Sequence, residues 1–187
     1  MTADVAGAVQ PGAQRDAWQA LLDKQAITEV LYRYARASDR GDLDLMRACF
    51  HPDAVRDEGH TRLLMTDYID KWASLIVHPA RVVTHSLSNV LIDVEGEHAN
   101  AEAHVLNFTR LKKDGEKFDT LTMSRFVDRF DRRHGVWRIA VHRVAYDWNH
   151  EMPFAETWGR GLVAAAPEKL VRGRRKPDDL LYRAAEP

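Results

Sequence analysis

The chain has 187 residues, of which 45% are hydrophobic and 29% charged, with 27 Lys and Arg against 28 Asp and Glu. That length suits one domain with a sizeable core, and the balanced charge argues against a dedicated nucleic-acid binder, which carries a basic excess. A single cysteine, Cys49, excludes an internal disulfide, and no apolar run approaches the roughly 20 residues needed to span a bilayer.

In chain order, residues 1–14 are rich in Ala, Gly and Gln, lack the basic and apolar regions of a secretory signal, and are expected to be disordered. The domain is placed at 15–150, and a cytoplasmic location is expected. Trp18, Leu21, Leu22, Ile27, Val30, Leu31 and Tyr34 recur at helical steps. The helix they mark is expected to end near Asp39-Arg40-Gly41, where the glycine can turn left-handed. Asp42 can cap a second, short helix carrying Leu43, Met46 and Phe50, which Pro52 stops. Cys49 within it reads as a small buried hydrophobe. A third helix from Thr66 or Asp67 places Ile69, Trp72, Leu75 and Ile76 on one face and ends before Pro79.

Beyond Pro79 the period changes to alternation. Four strands are predicted: Arg81 to Val94, His98 to Lys112, Lys117 to Asp131 and Val136 to Trp148, joined by turns at Gly96, Gly115 and Gly135. Helices followed by an antiparallel meander is an α+β layout with segregated elements. Residues 151–187 read as a C-terminal tail able to pack on a neighbouring subunit, and its basic run Arg172-Gly173-Arg174-Arg175-Lys176 reads as solvated.

Four segments carry a family resemblance: Ile27 to Asp39, Cys49-Phe50-His51-Pro52-Asp53-Ala54, Val83 to Asn89, and Gly135-Val136-Trp137-Arg138-Ile139-Ala140. In this order, over about residues 16–150, the chain resembles the SnoaL-like branch of the nuclear transport factor-like superfamily. Its relatives include scytalone dehydratase, bile-acid 7α-dehydratase and hexachlorocyclohexane dehydrochlorinase. The resemblance implies a cone-like, curved antiparallel sheet wrapped by N-terminal helices around an apolar pocket. It also implies a homo-oligomer, trimer or dimer, built on the open sheet face. Fold alone does not assign chemistry.

The dehydratase and dehydrochlorinase relatives use an Asp at the end of the first helix and a His on the first long strand; the resemblance places these roles on Asp39 and His85. A neutral imidazole can accept a proton at cellular pH, and a carboxylate on its other nitrogen fixes the tautomer. Read without the resemblance, Asp39 is a helix-end residue and His85 a hydrogen-bonded core histidine. Tyr34 stands five residues before Asp39, the spacing of the catalytic tyrosine in the bile-acid enzyme, and equally fits a core aromatic. Five residues turn an ideal helix by about 140°, so both face one cavity only where the helix unwinds.

Strand alternation puts Asn107 and Thr109 on the face of Ala103 and Val105, which makes Asn107 a candidate substrate contact or a packed amide. His142 or Arg143 lies where the dehydrochlorinase has an arginine that helps its leaving group depart, and a β-bulge decides which points inward. Val144, Tyr146 and Trp148 follow His142 in register as candidate lining. Neither a His-Glu-x-x-His pattern, a Cys/His cluster, nor a glycine-rich phosphate loop is present, so no metal and no cofactor are expected. The expectation is a lyase of aromatic-compound catabolism. It would expel water, halide or formaldehyde from a small apolar cyclic or aromatic substrate; relatives of this fold release formaldehyde from lignin-derived diaryl compounds. The alternatives are an isomerase or polyketide cyclase, in which the abstracted proton is returned or a ring closes, and a non-catalytic ligand-binding module.

Overall fold

The computed structural model describes residues 11–157 and 169–183. Helix α1 (Pro11–Arg40) is followed by α2 (Leu43–Ala48), the short strands β1 (Phe50–Asp57) and β2 (Arg62–Leu64), and α3 (Met65–Ile76). Four long strands complete the domain: β3 (Val82–Glu95), β4 (His98–Lys113), β5 (Glu116–Arg133) and β6 (Val136–Pro153). Helix α1 therefore starts before the expected domain boundary, and residues 1–10 of the expected disordered segment lie outside the described residues.

The meander β3–β4–β5–β6 forms as expected, but the sheet has six strands in the order β2-β1-β6-β5-β4-β3 and does not close into a barrel. Strand β1 runs parallel to β6, and β2 pairs back on β1. Neither short strand was expected, because Phe50, which starts β1, was placed on the second helix and Pro52 read as the stop of that helix. The backbone tolerates the proline because it falls in the irregular stretch between the paired residues Phe50 and Val55.

The core lies between the helices and one face of the sheet. From α1 it takes Ile27, Leu31, Tyr34 and Ala37; from β4 Ala99, Ala101, Ala103 and Val105; from β5 and β6 Phe130, Trp137 and Ile139. Trp137 ties the sheet to α1, since its indole N–H donates to the buried Asp23 carboxylate at 2.9 Å. Trp18, Leu21 and Leu22, expected on the same apolar stripe, are exposed near the N-terminal end of α1. On α3 only Met65, Ile69 and Ile76 are buried, while Trp72 and Leu75 face outward. Asp42 caps α2 as expected, accepting from the Leu45 N–H at 3.1 Å. Cys49 is buried and its thiol, which points at the Leu45 carbonyl, is pushed up by burial to about 12.

The basic C-terminal run is not solvated throughout, because Arg175 within it is buried. Residues 169–183 fold back on the same chain, and Arg175, only 8% exposed, donates to the carbonyls of Ser38 and Asp39, each at 2.9 Å, and to that of Ile76. It thus covers the C-terminal ends of α1 and α3 together, where unpaired carbonyls collect. Gly41 (φ 68°) makes the close approach possible, because a Cβ there would stand 3.0 Å from both the Arg175 guanidinium and the Ile76 carbonyl. No described helix is long and apolar enough to cross a membrane.

Candidate active site

The end of α1 brings Asp39 against the start of β3. Its Oδ1 meets His85 Nδ1 at 2.6 Å, and the same carboxylate accepts the His85 backbone N–H at 3.0 and 3.2 Å. Three contacts on one carboxylate fix its orientation without a further side chain. With the Nδ1 proton donated to Asp39, the lone pair of a neutral His85 lies on Nε2. The His85 side chain is 15% exposed, buried enough to be held and open enough to be reached.

His85 lines a cavity of about 220 Å³ between the helices and the sheet. Tyr34 and Ser38 of α1 and Tyr68 of α3 form the helical side, with Arg56 of β1 and Arg81, at the start of the β3 segment, reaching in. The sheet side is built by Asn107 and Thr109 of β4, Thr122, Ser124 and Phe126 of β5, and His142, Val144 and Tyr146 of β6. Pairing explains the placement, since His85, Asn107 and Thr122 lie side by side across three neighbouring strands. The cavity is therefore amphipathic rather than apolar throughout, with aromatic rings and Val144 set among hydroxyls, an amide, two imidazoles and two guanidinium groups. A second, outer hollow of about 240 Å³ includes Asp39, Tyr32 and the other side of His85. His85 thus borders both hollows. A larger hollow of about 620 Å³ at the β4–β5 turn is lined by lysines, acids and Phe118 and holds no histidine.

Two bulges on β6 settle which of its residues turn inward. The shift between Arg129 and Phe130 of β5 inserts one extra residue opposite, between Ile139 and Val141 of β6. Ile139 is buried before it, and His142, Val144 and Tyr146 line the cavity after it. Arg143 accordingly faces away and pairs with Asp57 at 3.2 Å. The parallel partner β1 repeats the pattern, with Arg56 beside His142 and Asp57 beside Arg143. A second shift at Asp147 turns Trp148, expected at the pocket mouth, out of the lining.

His142 has no solvent exposure, and its Nδ1 meets Asp128 Oδ1 at 2.7 Å, so the cavity wall holds a second His–Asp pair. The rings of Tyr34, Phe126 and Phe50 surround it edge-on, with centroids 4.8 to 6.0 Å away. Its Nε2 is buried without a partner among the described residues. Tyr34 is at once core aromatic and cavity wall. Burial holds its hydroxyl far above the usual tyrosine range, against the lowering effect of the Arg56 guanidinium that hydrogen-bonds it. Asn107 accepts from the Thr109 hydroxyl at 2.6 Å, which leaves its amide hydrogens for a ligand.

Of the residues singled out by the sequence, His85, Tyr34, Asn107 and His142 meet in this cavity, with Asp39 behind His85, while Arg143 stands outside. Arg56, Arg81, Tyr68 and Asp128 had no sequence signal strong enough to mark them. The alternation of Ala54 and Arg56, both buried, was the one trace of β1. Among the described residues no three His, Cys, Asp or Glu side chains converge as a metal site requires.

The SnoaL-like domain family matches residues 19–143 of the chain. No functionally curated protein matches it in sequence. Among solved structures it is similar to a scytalone dehydratase-like protein from Novosphingobium aromaticivorans, with 21% identity, a TM-score of 0.62, and 76% of this chain and 97% of that one covered. It is also similar to a hexachlorocyclohexane dehydrochlorinase from Novosphingobium barchaimii, at 16% identity and a TM-score of 0.65 over 75% and 99% of the two chains. A protein of unknown function from Mycobacterium tuberculosis matches at 19% identity and a TM-score of 0.59, over 87% and 90%. At such identities the likeness is one of fold.

Proposed function

The chain belongs to the SnoaL-like family, and on that premise we propose that it is a cofactor-independent lyase acting on a small cyclic or aromatic compound. The observation that carries this reading is the 2.6 Å contact between Asp39 and His85 at the wall of an amphipathic cavity.

In the proposed reaction His85 Nε2 takes a proton from a carbon of the bound substrate, and the C–H electrons form the new double bond. The leaving group departs from the neighbouring carbon with its bonding pair. Asp39 stabilises the imidazolium so formed. Where the leaving group is hydroxide, a proton must reach it to make water, and the His142 imidazole, held by Asp128 at 2.7 Å, stands in the cavity wall to relay one. The Tyr34 hydroxyl, kept protonated by burial, and the Asn107 amide donate hydrogen bonds to the developing charge. Formaldehyde release uses the same base differently: His85 takes the proton of a hydroxymethyl O–H, the C–C bond breaks, and the carbon left with the pair is reprotonated. None of these steps calls on a cofactor. Oligomerisation through the open sheet face belongs to the same proposal.

The test is a screen of aromatic and alicyclic alcohols, halides and hydroxymethyl compounds, read by mass spectrometry. The expected result is a product lighter by water, hydrogen halide or formaldehyde, which also names the leaving group. If no compound loses mass while several raise the melting temperature, the protein is an isomerase or a binding module.

A further inference from the structure

Two guanidinium groups reach the cavity, and they are in opposite states. Arg56 is satisfied: its Nε and Nη2 meet Glu58 Oε1 at 2.8 and 2.7 Å, and its guanidinium stacks over the Tyr68 ring at 4.2 Å. Although burial alone would lower its pKa, Tyr34, Tyr68 and Glu58 together raise it. Arg81 has no such partner. Its Nη1 is buried with no hydrogen-bond partner among the described residues. Burial lowers its pKa, and the electrostatic influence of Tyr68, Asp39 and Tyr34 does not restore it. Asp39 is committed to His85, and the nearby Arg175 to the carbonyls at the ends of α1 and α3.

Native proteins leave few buried donors unpaired, and a buried guanidinium without an anion is costly. Arg81 Nη1 and His142 Nε2, two buried atoms without partners, belong to residues lining one cavity that also holds the dyad. A guanidinium presents paired donors that fit the two oxygens of a carboxylate. An uncharged substrate would leave the buried Arg81 Nη1 without a partner.

We propose that the substrate of this cavity carries a carboxylate, which Arg81 binds, so that the reacting carbon is presented to His85 by an anchored anion rather than by apolar packing alone. The proposal deepens the lyase reading by naming its substrate class, and rests on it for the reacting step only. Arg81 is a binding residue here and takes no part in proton transfer. The ring of an aromatic carboxylate would find Phe126, Tyr68 and Tyr146 around it.

The test measures binding, so its failure is separable from failure of the lyase reading. Benzoate, phenylacetate and trans-cinnamate are titrated against wild type beside their uncharged amides, at neutral pH and low salt. The expected result is a preference for at least one acid over its amide of about tenfold or more, the scale of a charged hydrogen bond. That preference should vanish in Arg81→Gln, survive in part in Arg81→Lys, and persist in His85→Ala. Equal binding of acids and amides by wild type, or binding of none of the three acids, overturns the proposal without recourse to any variant. A preference unchanged in Arg81→Gln overturns it as well. Should Arg81→Gln not fold, Arg81→Lys carries the comparison, since it keeps the charge but loses the paired donors.

Discussion

Asp39 serves two purposes with one carboxylate: it ties down the start of strand β3 through the His85 backbone N–H, and it sets the tautomer of the His85 ring. Asp39→Asn separates them. The amide oxygen can still accept one hydrogen bond, but the charge that stabilises the imidazolium is gone. Turnover is expected to fall by roughly 10²–10⁴-fold, while the melting temperature drops by only several degrees, as for one lost charge-assisted bond. Steady-state kinetics beside a thermal melt checks this, and undiminished turnover would remove Asp39 from the mechanism. At this scale the family resemblance pointed to Asp39, His85 and Tyr34 and strand alternation to Asn107, and the four lie at one cavity or directly behind it. Arg81 was not legible, because an arginine at a strand start reads as surface until its neighbours are known.

The elements show where local pattern fails. The meander was legible because alternation over strands of 14 to 18 residues is hard to miss. The bulges of β6 were not, since one inserted residue leaves the composition of a strand unchanged while reversing its faces. That reversal alone decides that His142, and not Arg143, enters the cavity. The tail was misread for a related reason: a run of four basic residues looks solvated, yet Arg175 finds three backbone carbonyls that a helix end always leaves over. Because two of these carbonyls flank Asp39, the tail bears on the dyad. Arg175→Ala should release the tail and loosen the end of α1. The readout is hydrogen exchange at the Lys176 amide, which donates to the Arg40 carbonyl at 2.7 Å in the docked state. Faster exchange there with lower turnover is expected, and unchanged exchange would show that Arg175 does not hold the tail.

In the whole molecule, one face of the sheet lines the cavity, and the described residues leave apolar side chains exposed on the other. Leu106, Met123 and Trp148 align across β4, β5 and β6 on that outer face, with Leu106 and Trp148 exposed. An apolar row on an open sheet is a natural seat for a second copy of the chain. A homo-oligomer, a trimer by analogy with the family, is expected by light scattering, and Trp148→Glu should shift it towards monomer. A monomeric wild type at micromolar concentration would contradict this. The α+β order was readable from the change of period at Pro79, whereas the oligomer depends on surfaces that periodicity does not reveal.

His85 is proposed as the base, and that role has a direct readout. It is tested most directly by the turnover of His85→Ala on whichever compound loses mass with wild type, its fold verified by an unchanged far-ultraviolet spectrum and cooperative melting. Loss of at least about 10²-fold is predicted for a missing general base. A folded His85→Ala that turns over at the wild-type rate would contradict the account.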